Sequence, residues 1–465
     1  MQPPVNVVIL AAGLGTRMKS KYAKVLHRVG GLTLIEHVVR AAAQITPPEH
    51  ITVVVGHQGD EVRKVLTGSL VRTVDQTEQK GTGHAVLVCG DALRQQDGMV
   101  VVLYGDCPLL STATLGELVD RQATTDAAAT LITTRLDDPI GYGRVVLNDR
   151  GGVQAIVEQK AATSEQLAIS LINTGIYCFR AEDLWQHIGE IRPDNPAHEY
   201  YLTDLVEILN RAGRRVANME VSNPEELLGI NTRVELAEAD KILRDRKARQ
   251  LMLDGVTIER PQTVSIDADV RIGPDSVIGA FAQILGASHI GADCSIGAGS
   301  IISNSRLADG VHVSPFTSIA DSEIEAGAHI GPFARLRNGN HVGANARIGN
   351  FVELKNTQFA AGAKANHLAY LGDAEIGEKT NIGAGTITCN FDGEKKHRTR
   401  IGKDVFVGSN STLVAPIELN DGSYVAAGSV ITDPVPADAL ALGRARQVIK
   451  EGWAAQRKER TKKKK

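Results

Sequence analysis

The first half of the chain alternates short aliphatic runs with segments of helical periodicity. Four runs rich in Val, Ile and Leu predict β-strands: Val5 to Leu10, Ile51 to Val55, Met99 to Tyr104 and Ala127 to Thr133. Helical patterns lie between them, near residues 34–43, 83–90 and 112–123. Continuous apolar strands separated by helices indicate a parallel sheet covered on both faces. An α/β domain with a Rossmann-like, mostly parallel sheet is therefore predicted, with its ligands beyond the carboxyl ends of the strands.

A second pattern, with a period of six residues, begins beyond Gly255. Its aliphatic positions open with Ile266, Ile272, Ile278, Ile284, Ile290, Ile296 and Ile302. The same register returns between Ile324 and Leu354 and between Ile401 and Ile431, and many of these residues precede a glycine. This period fits neither a helix nor an alternating strand and is typical of a left-handed parallel β-helix of hexapeptide repeats. Three sides of six residues make a coil of about 18, so about ten coils are expected.

The two patterns divide the chain into four predicted parts. These are an α/β domain over 1–229, a linker helix over 230–253, a β-helix over 254–437 and a basic tail over 438–465. The three sides of the β-helix form a triangular prism. Breaks in the six-residue register predict loops that leave this prism at 303–310, 357–371 and 388–400. Loops of that length in a tight repeat are commonly functional.

Composition and charge exclude several classes of protein. The net charge is −3, but Arg444 to Lys465 carries ten Lys or Arg against two Glu, which leaves −11 elsewhere from 41 basic and 52 acidic residues. The basic charge is thus a tail rather than a folded face, so no nucleic-acid partner is predicted. No apolar run reaches the roughly eighteen residues of a membrane helix, and no export signal is predicted. Five widely spaced cysteines suggest neither a zinc site nor a disulfide framework, and favour a reducing cytoplasm.

The first strand runs directly into a glycine-containing loop that carries candidate chemistry. Residues 10–18 read LAAGLGTRM, and Lys24 follows. Glycines after a strand let backbone N–H groups approach a phosphate, and Arg17 and Lys24 supply positive charge. The loop is not a Walker loop, since no Gly-Lys-Ser/Thr follows, and Met18 stands where the third glycine of a dinucleotide fingerprint belongs. It therefore predicts a phosphate cradle.

This segment resembles the signature of the sugar-1-phosphate nucleotidyltransferases, LxxGxGTxM followed by Pro-Lys, although Ala23 replaces the proline. Further matches are Gln76, Gly81-Thr82, Tyr104-Gly105-Asp106, Gly141-Tyr142-Gly143, Glu158, Asn173-Thr174-Gly175 and Asn231. With the hexapeptide region included, nearly all 465 residues resemble one bifunctional family. Its members combine N-acetylglucosamine-1-phosphate uridylyltransferase and glucosamine-1-phosphate N-acetyltransferase activities in the synthesis of UDP-N-acetylglucosamine.

The resemblance implies a first site that binds UTP and N-acetylglucosamine-1-phosphate. Its implied binding residues are Leu10, Ala11, Ala12, Gly13, Lys24, Gln76, Gly81, Thr82, Tyr104, Gly105, Asp106, Gly141, Glu158, Asn173 and Asn231. Asp106 and Asn231 are the implied Mg²⁺ ligands, which suits a cation that takes one or two protein oxygens plus phosphates. Arg17 and Lys24 are expected to stabilise phosphate charge during nucleotidyl transfer, which depends on alignment and neutralisation.

A second site is expected inside the β-helix, where coil stacking brings residues about 18 apart together. Acetylating an amino sugar requires removal of an ammonium proton, and a histidine suits that task. The resemblance assigns this base to His367, with Glu353 our candidate for its orienting partner. Implied ligands of glucosamine-1-phosphate are Arg337, Lys355, Tyr370 and Asn381. Implied contacts of acetyl-CoA are Ala384, Asn390, Phe391, Ser409, Ala427 and Arg444, with Phe391 standing where the family commonly has tyrosine.

Two other hypotheses remain open at this level. In one, only the nucleotidyltransferase is active and the β-helix is an oligomerisation scaffold. In the other, the whole chain is a non-catalytic binder of sugar nucleotides. The resemblance, together with the flat faces of a triangular prism, predicts a cytoplasmic homotrimer that supplies bacterial cell-envelope precursors.

Overall fold

The computed structural model describes residues 3–195 and 197–462. Contacts divide the chain into two units, residues 1–244 and 245–465. The division falls inside the helix Arg233–Leu253, so the predicted linker is a helix that belongs in part to each unit. Lys463 to Lys465, the end of the predicted basic tail, lie outside the described residues.

The first unit is built on a mixed sheet. Its strands are β1 (Val5–Ala11), β2 (Arg28–Val29), β3 (Leu32–Thr33), β4 (Ile51–Val55), β5 (Arg72–Asp75), β6 (Met99–Tyr104), β7 (Ala129–Arg135), β8 (Arg144–Leu147), β9 (Val153–Val157), β10 (Leu171–Arg180) and β11 (Val216–Glu220). The order in the main sheet is β11-β7-β10-β6-β1-β4-β5. Strands β6, β1, β4 and β5 are parallel, whereas β10 runs antiparallel to both β6 and β7.

Helices cover this sheet because their apolar residues recur at helical spacing. They are α1 (Leu34–Ala42), α2 (Gly59–Val65), α3 (Thr82–Leu87), α4 (Gly90–Leu93), α5 (Thr112–Thr124), α6 (Ser164–Leu167), α7 (Ala181–His187), α8 (Asp204–Arg211) and α9 (Arg233–Leu253). Helix α1 begins with a capping box, in which Thr33 and Glu36 satisfy each other's backbone N–H groups. Two apolar layers result, and β1 contributes Val8 to one and Val7 to the other.

The second unit is a left-handed parallel β-helix whose strands form three flat faces. Face 1 consists of Thr257–Ile258, Val277–Ile278, Ser295–Ile296, His312–Val313, His329–Ile330, Arg347–Asn350, Lys364–His367, Asn381–Ile382, Phe406–Val407, Tyr424–Val425 and Leu440–Ala441. Face 2 consists of Ser265–Ile266, Gln283–Leu285, Ile301–Ser303, Ser318–Ala320, Arg335–Arg337, Glu353–Lys355, Tyr370–Gly372, Ile387–Cys389, Thr412–Val414 and Val430–Ile431. Face 3 consists of Arg271–Ile272, His289–Ile290, Arg306–Leu307, Ser322–Ile324, Asn340–Val342, Gln358–Phe359, Ala374–Ile376, Thr399–Ile401 and Ile417–Leu419.

The six-residue period is the repeat of an inward aliphatic residue. Ile296, Val313 and Ile330, for example, occupy equivalent positions on successive coils and are buried. Because aliphatic side chains fill most of this narrow core, with Phe359 as a buried aromatic exception, the chain needs few aromatic residues here. The last paired strand, Leu440–Ala441, lies beyond residue 437, so the prism continues into what was predicted to be tail. A final helix, α10, spans Trp453–Lys462.

Two of the three predicted loops are wrong. At 303–310 and 357–371 the strands continue to pair, and the coils are shortened to 17 residues, as between Ile296 and Val313 and between Ile348 and Ala365. Removing one residue from a turn shifts the register without opening the prism. Only the third break leaves it, between the strands ending at Cys389 and starting at Thr399, where Phe391 and Lys396 form an antiparallel bridge. None of the described helices is long and apolar enough to cross a bilayer.

Candidate functional site

The glycine-containing loop after β1 holds a lysine against its backbone. Gly15 has a left-handed backbone with φ of +59°, and a Cβ added there would lie 2.6 Å from the Cβ of Lys24. A side chain at position 15 would therefore both strain the loop and displace Lys24. The loop continues into a short 3₁₀ turn over Thr16–Met18, which carries Arg17.

Two side-chain oxygens converge on the ammonium group of Lys24. Lys24 donates hydrogen bonds to Asp106 Oδ2 and, at 3.1 Å, to Asn231 Oδ1. Arg17 also donates to Asn231 Oδ1, at 2.8 Å. Asp106 follows β6, and the backbone N–H of Ile230 donates to its carbonyl at 2.9 Å, which holds the two chain segments together. Residues far apart in sequence thus form one cluster of two cations and two oxygen ligands.

A cavity of 460 Å³ opens beside this cluster at the carboxyl ends of β1 and β6. Ten of the predicted nucleotide-binding residues line it: Leu10, Ala11, Ala12, Gly13, Lys24, Gln76, Gly81, Thr82, Tyr104 and Asp106. Gly105 does not line it. Its N–H donates to the carbonyl of Leu10 at 3.0 Å, and a Cβ there would lie 3.1 Å from Ile35, so Gly105 packs β6 against its neighbours.

The predicted sugar-binding residues come from the β8–β9 hairpin and from a bulge in β10. The pairing of β10 with β7 shifts register between Asn173 and Tyr177, and the Tyr177 hydroxyl donates to Asn173 Oδ1 at 3.1 Å. The N–H of Asn173 donates to the carbonyl of Gly143, which lies beside the carboxyl of Glu158. Gly141 lies just before β8, and its N–H donates a hydrogen bond to the side chain of Gln159. A bulge re-aims side chains, which explains the position of Asn173.

Tyr104 joins the two parts of this site. Burial, with the charges of Asp106 and Glu158 beside it, raises the pKa of its phenol. A Cβ added to Gly175 would lie 2.2 Å from the Tyr104 ring, so only glycine lets the bulge approach it. Burial also raises the pKa of Glu158. The first site therefore has a cationic end at Lys24, in the cavity, and an acidic end at Glu158, which lies beside Tyr104 and outside the cavity lining.

The second site centres on a buried aspartate of the β-helix. Asp373 accepts hydrogen bonds from Lys355 Nζ at 2.8 Å, from Asn356 at 2.8 Å and from Asn390 at 2.5 Å. Although burial opposes it, these three donors lower the pKa of Asp373. Tyr370 lies next to Asn390, with its hydroxyl 3.5 Å from the amide. Asp373 therefore fixes the ammonium of Lys355 and the amide of Asn390.

His367 lies at the end of a face 1 strand, apart from the partner predicted for it. Its Nδ1 is 2.8 Å from Asn350 Oδ1, and the two residues are register partners on adjacent coils. Glu353 instead pairs with Arg337, with 2.7 Å between Oε1 and Nε. The prediction for Glu353 is wrong because its strand belongs to face 2, in the ladder of Arg335 and Tyr370.

The predicted acetyl-CoA residues follow the turns between faces 1 and 2. The N–H of Asn410 donates to the carbonyl of Ala384, and the N–H of Gly428 to that of Ser409. Arg444 extends the series, because its guanidinium donates to the carbonyl of Ala427 at 2.8 Å. These residues thus form a stack along one edge of the prism. Asn390 and Phe391 lie in the loop beyond face 2 instead, and Phe391 is exposed.

Comparison with known proteins gives matches to both units. Residues 7–183 match the MobA-like NTP transferase domain. Residues 269–304 match the bacterial transferase hexapeptide (six repeats), and residues 398–433 match the hexapeptide repeat of succinyl-transferase. Bifunctional protein GlmU of Solibacter usitatus is 59% identical over 98% of each chain. GlmU of Koribacter versatilis is 50% identical over 99% of this chain and 98% of its own, and GlmU of Brevibacillus brevis is 46% identical over 97% of each.

The chain belongs to the GlmU family. The nucleotidyltransferase match covers the cavity beside Lys24, and the hexapeptide matches cover parts of the prism. This GlmU-family chain is therefore an enzyme with a nucleotidyltransferase unit and a hexapeptide transferase unit.

Several site residues of this GlmU-family chain were missed by sequence reasoning. Gln79 and Glu199 line the first cavity, and Asn350, Asp373 and Lys396 belong to the second site. For Asp373 a signal existed, since it stands 18 residues after Lys355, one coil length, with opposite charge. For Glu199 the sequence held no signal, because its position at the cavity depends on how the segment after α7 folds.

A pH test follows from Asp204, whose pKa is raised from 3.8 to about 6 by burial and by the charges of Glu207 and Glu158. The folded state therefore favours the protonated carboxyl, and stability is lost as pH rises from about 4 through 6. Asp204→Asn should remove this loss and stabilise the protein at pH 8 by about 1 kcal/mol, with about half of that gain at pH 5. Urea unfolding at pH 5, 6, 7 and 8 measures the difference. Exposed Asp97→Asn is the control, and an Asp204→Asn gain that does not grow with pH contradicts the assignment.

Proposed function

We propose that the two clusters divide the two reactions of a GlmU-family enzyme between them. The chain is a bifunctional enzyme of UDP-N-acetylglucosamine synthesis. It acetylates glucosamine-1-phosphate with acetyl-CoA, and it transfers UMP from UTP to N-acetylglucosamine-1-phosphate with release of pyrophosphate. The observation that carries the division is the pair of separate lysine–aspartate clusters, Lys24 with Asp106 and Lys355 with Asp373, one in each unit.

Mg²⁺ is proposed as the cofactor of uridylyl transfer, held by Asp106 and Asn231. The geometry fits a cation, since both side chains direct an oxygen at the same ammonium group. Gly229 leaves room beside them, because a Cβ there would lie only 3.3 Å from Asp106 Oδ2. No group of three His, Cys, Asp or Glu suited to a metal occurs among the described residues, which agrees with a site completed by substrate phosphates. When bound, Mg²⁺ neutralises developing phosphate charge.

The protein's part in uridylyl transfer is alignment and charge neutralisation. The nucleophile, a sugar phosphate, is already an anion and needs no general base. Backbone N–H groups around Gly13 and Gly15 cradle the phosphates of UTP, and Lys24 and Arg17 stabilise their negative charge. Glu158 and Asn173, at the other end of the site, form hydrogen bonds with the sugar, as acceptors and donors. The partly buried setting strengthens each of these interactions.

Asp106→Asn is expected to reduce uridylyl transfer at least a hundredfold while leaving acetyl transfer within twofold. The change removes a carboxylate ligand and also the anionic partner of Lys24. Pyrophosphate release from UTP and thiol release from acetyl-CoA measure the two reactions separately. Asp97→Asn, an exposed aspartate outside the cavity, should leave both unchanged. Equal loss of both activities in Asp106→Asn would contradict two independent sites.

Acetyl transfer is proposed to use His367 as general base. Because Asn350 Oδ1 is an acceptor, it favours the tautomer with hydrogen on Nδ1 and leaves Nε2 free to take the proton of the sugar ammonium. The nitrogen then attacks the thioester carbonyl of acetyl-CoA, and the CoA thiolate leaves. Arg337, Lys355 and Tyr370 bind the sugar phosphate, with Asn381 on face 1 nearby in the ladder of Lys364. Ala384, Ser409, Ala427 and Arg444 form the proposed edge for acetyl-CoA.

His367→Ala is expected to lower the kcat of acetylation by about a hundred- to ten-thousandfold, with a smaller effect on KM. Raising the pH should partly restore the rate, since more amine is then deprotonated. Uridylyl transfer from supplied N-acetylglucosamine-1-phosphate should not change. The matched control is His341→Ala, which changes a partly exposed histidine on face 3. Acetylation by His367→Ala within threefold of the unchanged protein would remove His367 from the mechanism.

A homotrimer is proposed because one chain leaves the acetyl-transfer site open. His367 is exposed, although a general base works best in an enclosed site. Beside it, the turn between faces 1 and 2 carries a row of stacked, exposed rings. Phe316, Phe333 and Phe351 stand 5.4 Å apart and are 60%, 48% and 56% exposed. A second copy packed on this row would cover both it and the site.

Light scattering should therefore return three times the 49.6-kDa chain mass. Phe333→Asp should reduce that mass at micromolar concentration and lower acetyl transfer. The change places a charge in the row of rings that a trimer would bury. Tyr22→Asp, which changes an exposed ring of the first unit, is the control. A monomeric mass with full acetyltransferase activity would contradict the trimer.

The proposed location is the cytoplasm, where UTP and acetyl-CoA are supplied, and the proposed role is synthesis of cell-envelope precursors. The five cysteines are free, as a reducing compartment requires. A paired assay with glucosamine-1-phosphate, acetyl-CoA, UTP and Mg²⁺, omitting each in turn, tests the whole proposal. UTP turnover without acetylation would instead favour a scaffold role for the prism, and no turnover would favour a non-catalytic binder.

A further inference from the structure

A cavity of 840 Å³ lies in the second unit, on the first coils of the prism. Lys247, from the carboxyl-terminal part of α9, forms one side of it. Face 3 forms the other, through the outer residues of three successive strands, Arg271, His289 and Arg306. None of the residues assigned above to uridylyl or acetyl transfer lines this cavity.

The outer residues of the first three strands of face 3 form a basic ladder. Arg271 is the register partner of His289, His289 of Arg306, and Arg306 in turn of Glu323 on the next coil. Neighbouring strands are about 4.8 Å apart, and like charges placed directly opposite each other destabilise a sheet. Within residues 3–195 and 197–462, no hydrogen bond or ion pair engages these three side chains. Elsewhere on the same face Arg400 is paired with Glu418, at 2.9 Å.

Lys247 adds a third permanent cation, after Arg271 and Arg306, to the same space, and Asp269 adds a carboxylate beside it. Burial lowers the pKa of this lysine, Asp269 and Asp254 oppose the change, and the charge of Arg271 lowers it further. A partly buried lysine held beside an unpaired arginine is electrostatically unfavourable. An anion at this end of the cavity would relieve the repulsion among Lys247, Arg271 and Arg306.

The far end of the cavity differs in its chemistry. Asp321 and Glu323 line it one coil beyond Arg306 and offer carboxylate acceptors, and Asn304, on the coil of Arg306 itself, offers an amide. Carboxylates at this end disfavour a ligand that is anionic throughout, but they suit hydroxyl groups as donors. A compound with phosphate at one end and hydroxyls at the other is complementary to the whole cavity.

We propose that this cavity is a third small-molecule site, which binds a phosphorylated polyhydroxyl compound with its phosphate on Arg271, His289 and Arg306. Binding requires no covalent step. The site is independent of the proposed reactions, because it shares no residue with either transfer site.

The test uses the full chain and reads the site directly through Lys247. Amine labelling followed by mass spectrometry gives the labelling rate of that one lysine, with three separate probes: pyrophosphate, UDP-N-acetylglucosamine and N-acetylglucosamine. Pyrophosphate should slow labelling of Lys247 at least threefold. UDP-N-acetylglucosamine should do so at lower concentration, because its hydroxyls also bind, and N-acetylglucosamine alone should have no effect.

Arg271→Gln and Arg306→Gln should abolish this protection while retaining both activities, which shows that the variants fold. Arg260→Gln, an exposed arginine of the first coil outside the cavity, should keep it. The proposal is overturned if pyrophosphate leaves Lys247 labelling unchanged, or if protection survives in Arg271→Gln and Arg306→Gln together. It is also overturned if N-acetylglucosamine protects as well as pyrophosphate, since phosphate recognition would then be absent.

Discussion

The in-register stacking of coils is the constraint on which the second unit depends. Most coils have 17 or 18 residues, and each sets its inward aliphatic residue on that of the coil before, as with Leu336 and Leu354. The same stacking leaves no freedom to the outward residues, which must form ladders about 4.8 Å apart. A ladder is stable when neighbours are neutral, aromatic or opposite in charge, and costly when they carry like charge. Every functional feature of the prism is a consequence of how its ladders meet this condition.

At the proposed acetyl-transfer site the condition is met by opposite charges between coils. Arg337 is held by Glu353, and Lys355 by Asp373, each pair spanning adjacent coils. The pairs keep two cations at fixed positions before any phosphate arrives, so little side-chain entropy is lost on binding. Lys396, brought back by the loop after Cys389, has its pKa lowered by Lys355. This excess of positive charge over a single face is what a sugar phosphate would balance.

The sequence allowed the architecture to be predicted because both periodicities are long and regular. The six-residue repeat indicated the prism, and strand-helix alternation indicated the sheet. Chemistry was predictable where a motif is contiguous, as with the loop from Leu10 to Lys24. It was not predictable where one residue removed from a turn changes which face a side chain joins. That is why Glu353 was wrongly matched with His367, and why 357–371 was expected to be a loop although it holds the strand that ends at His367.

The two lysine–aspartate pairs resemble each other but have different surroundings. Asp373 accepts hydrogen bonds from Asn356 and Asn390 besides Lys355. Three donors therefore satisfy its carboxylate, and its role is to position those donors. Among the described residues, the carboxylate of Asp106 accepts only from Lys24 and, weakly, from the Cys107 thiol, and Lys24 divides its bonds between Asp106 and Asn231. A carboxylate with so few donors retains capacity for another cation, whereas one with three does not. The difference in donor number therefore supports the proposal that the pair of the first unit serves a metal-dependent transfer and that of the second unit a metal-free one.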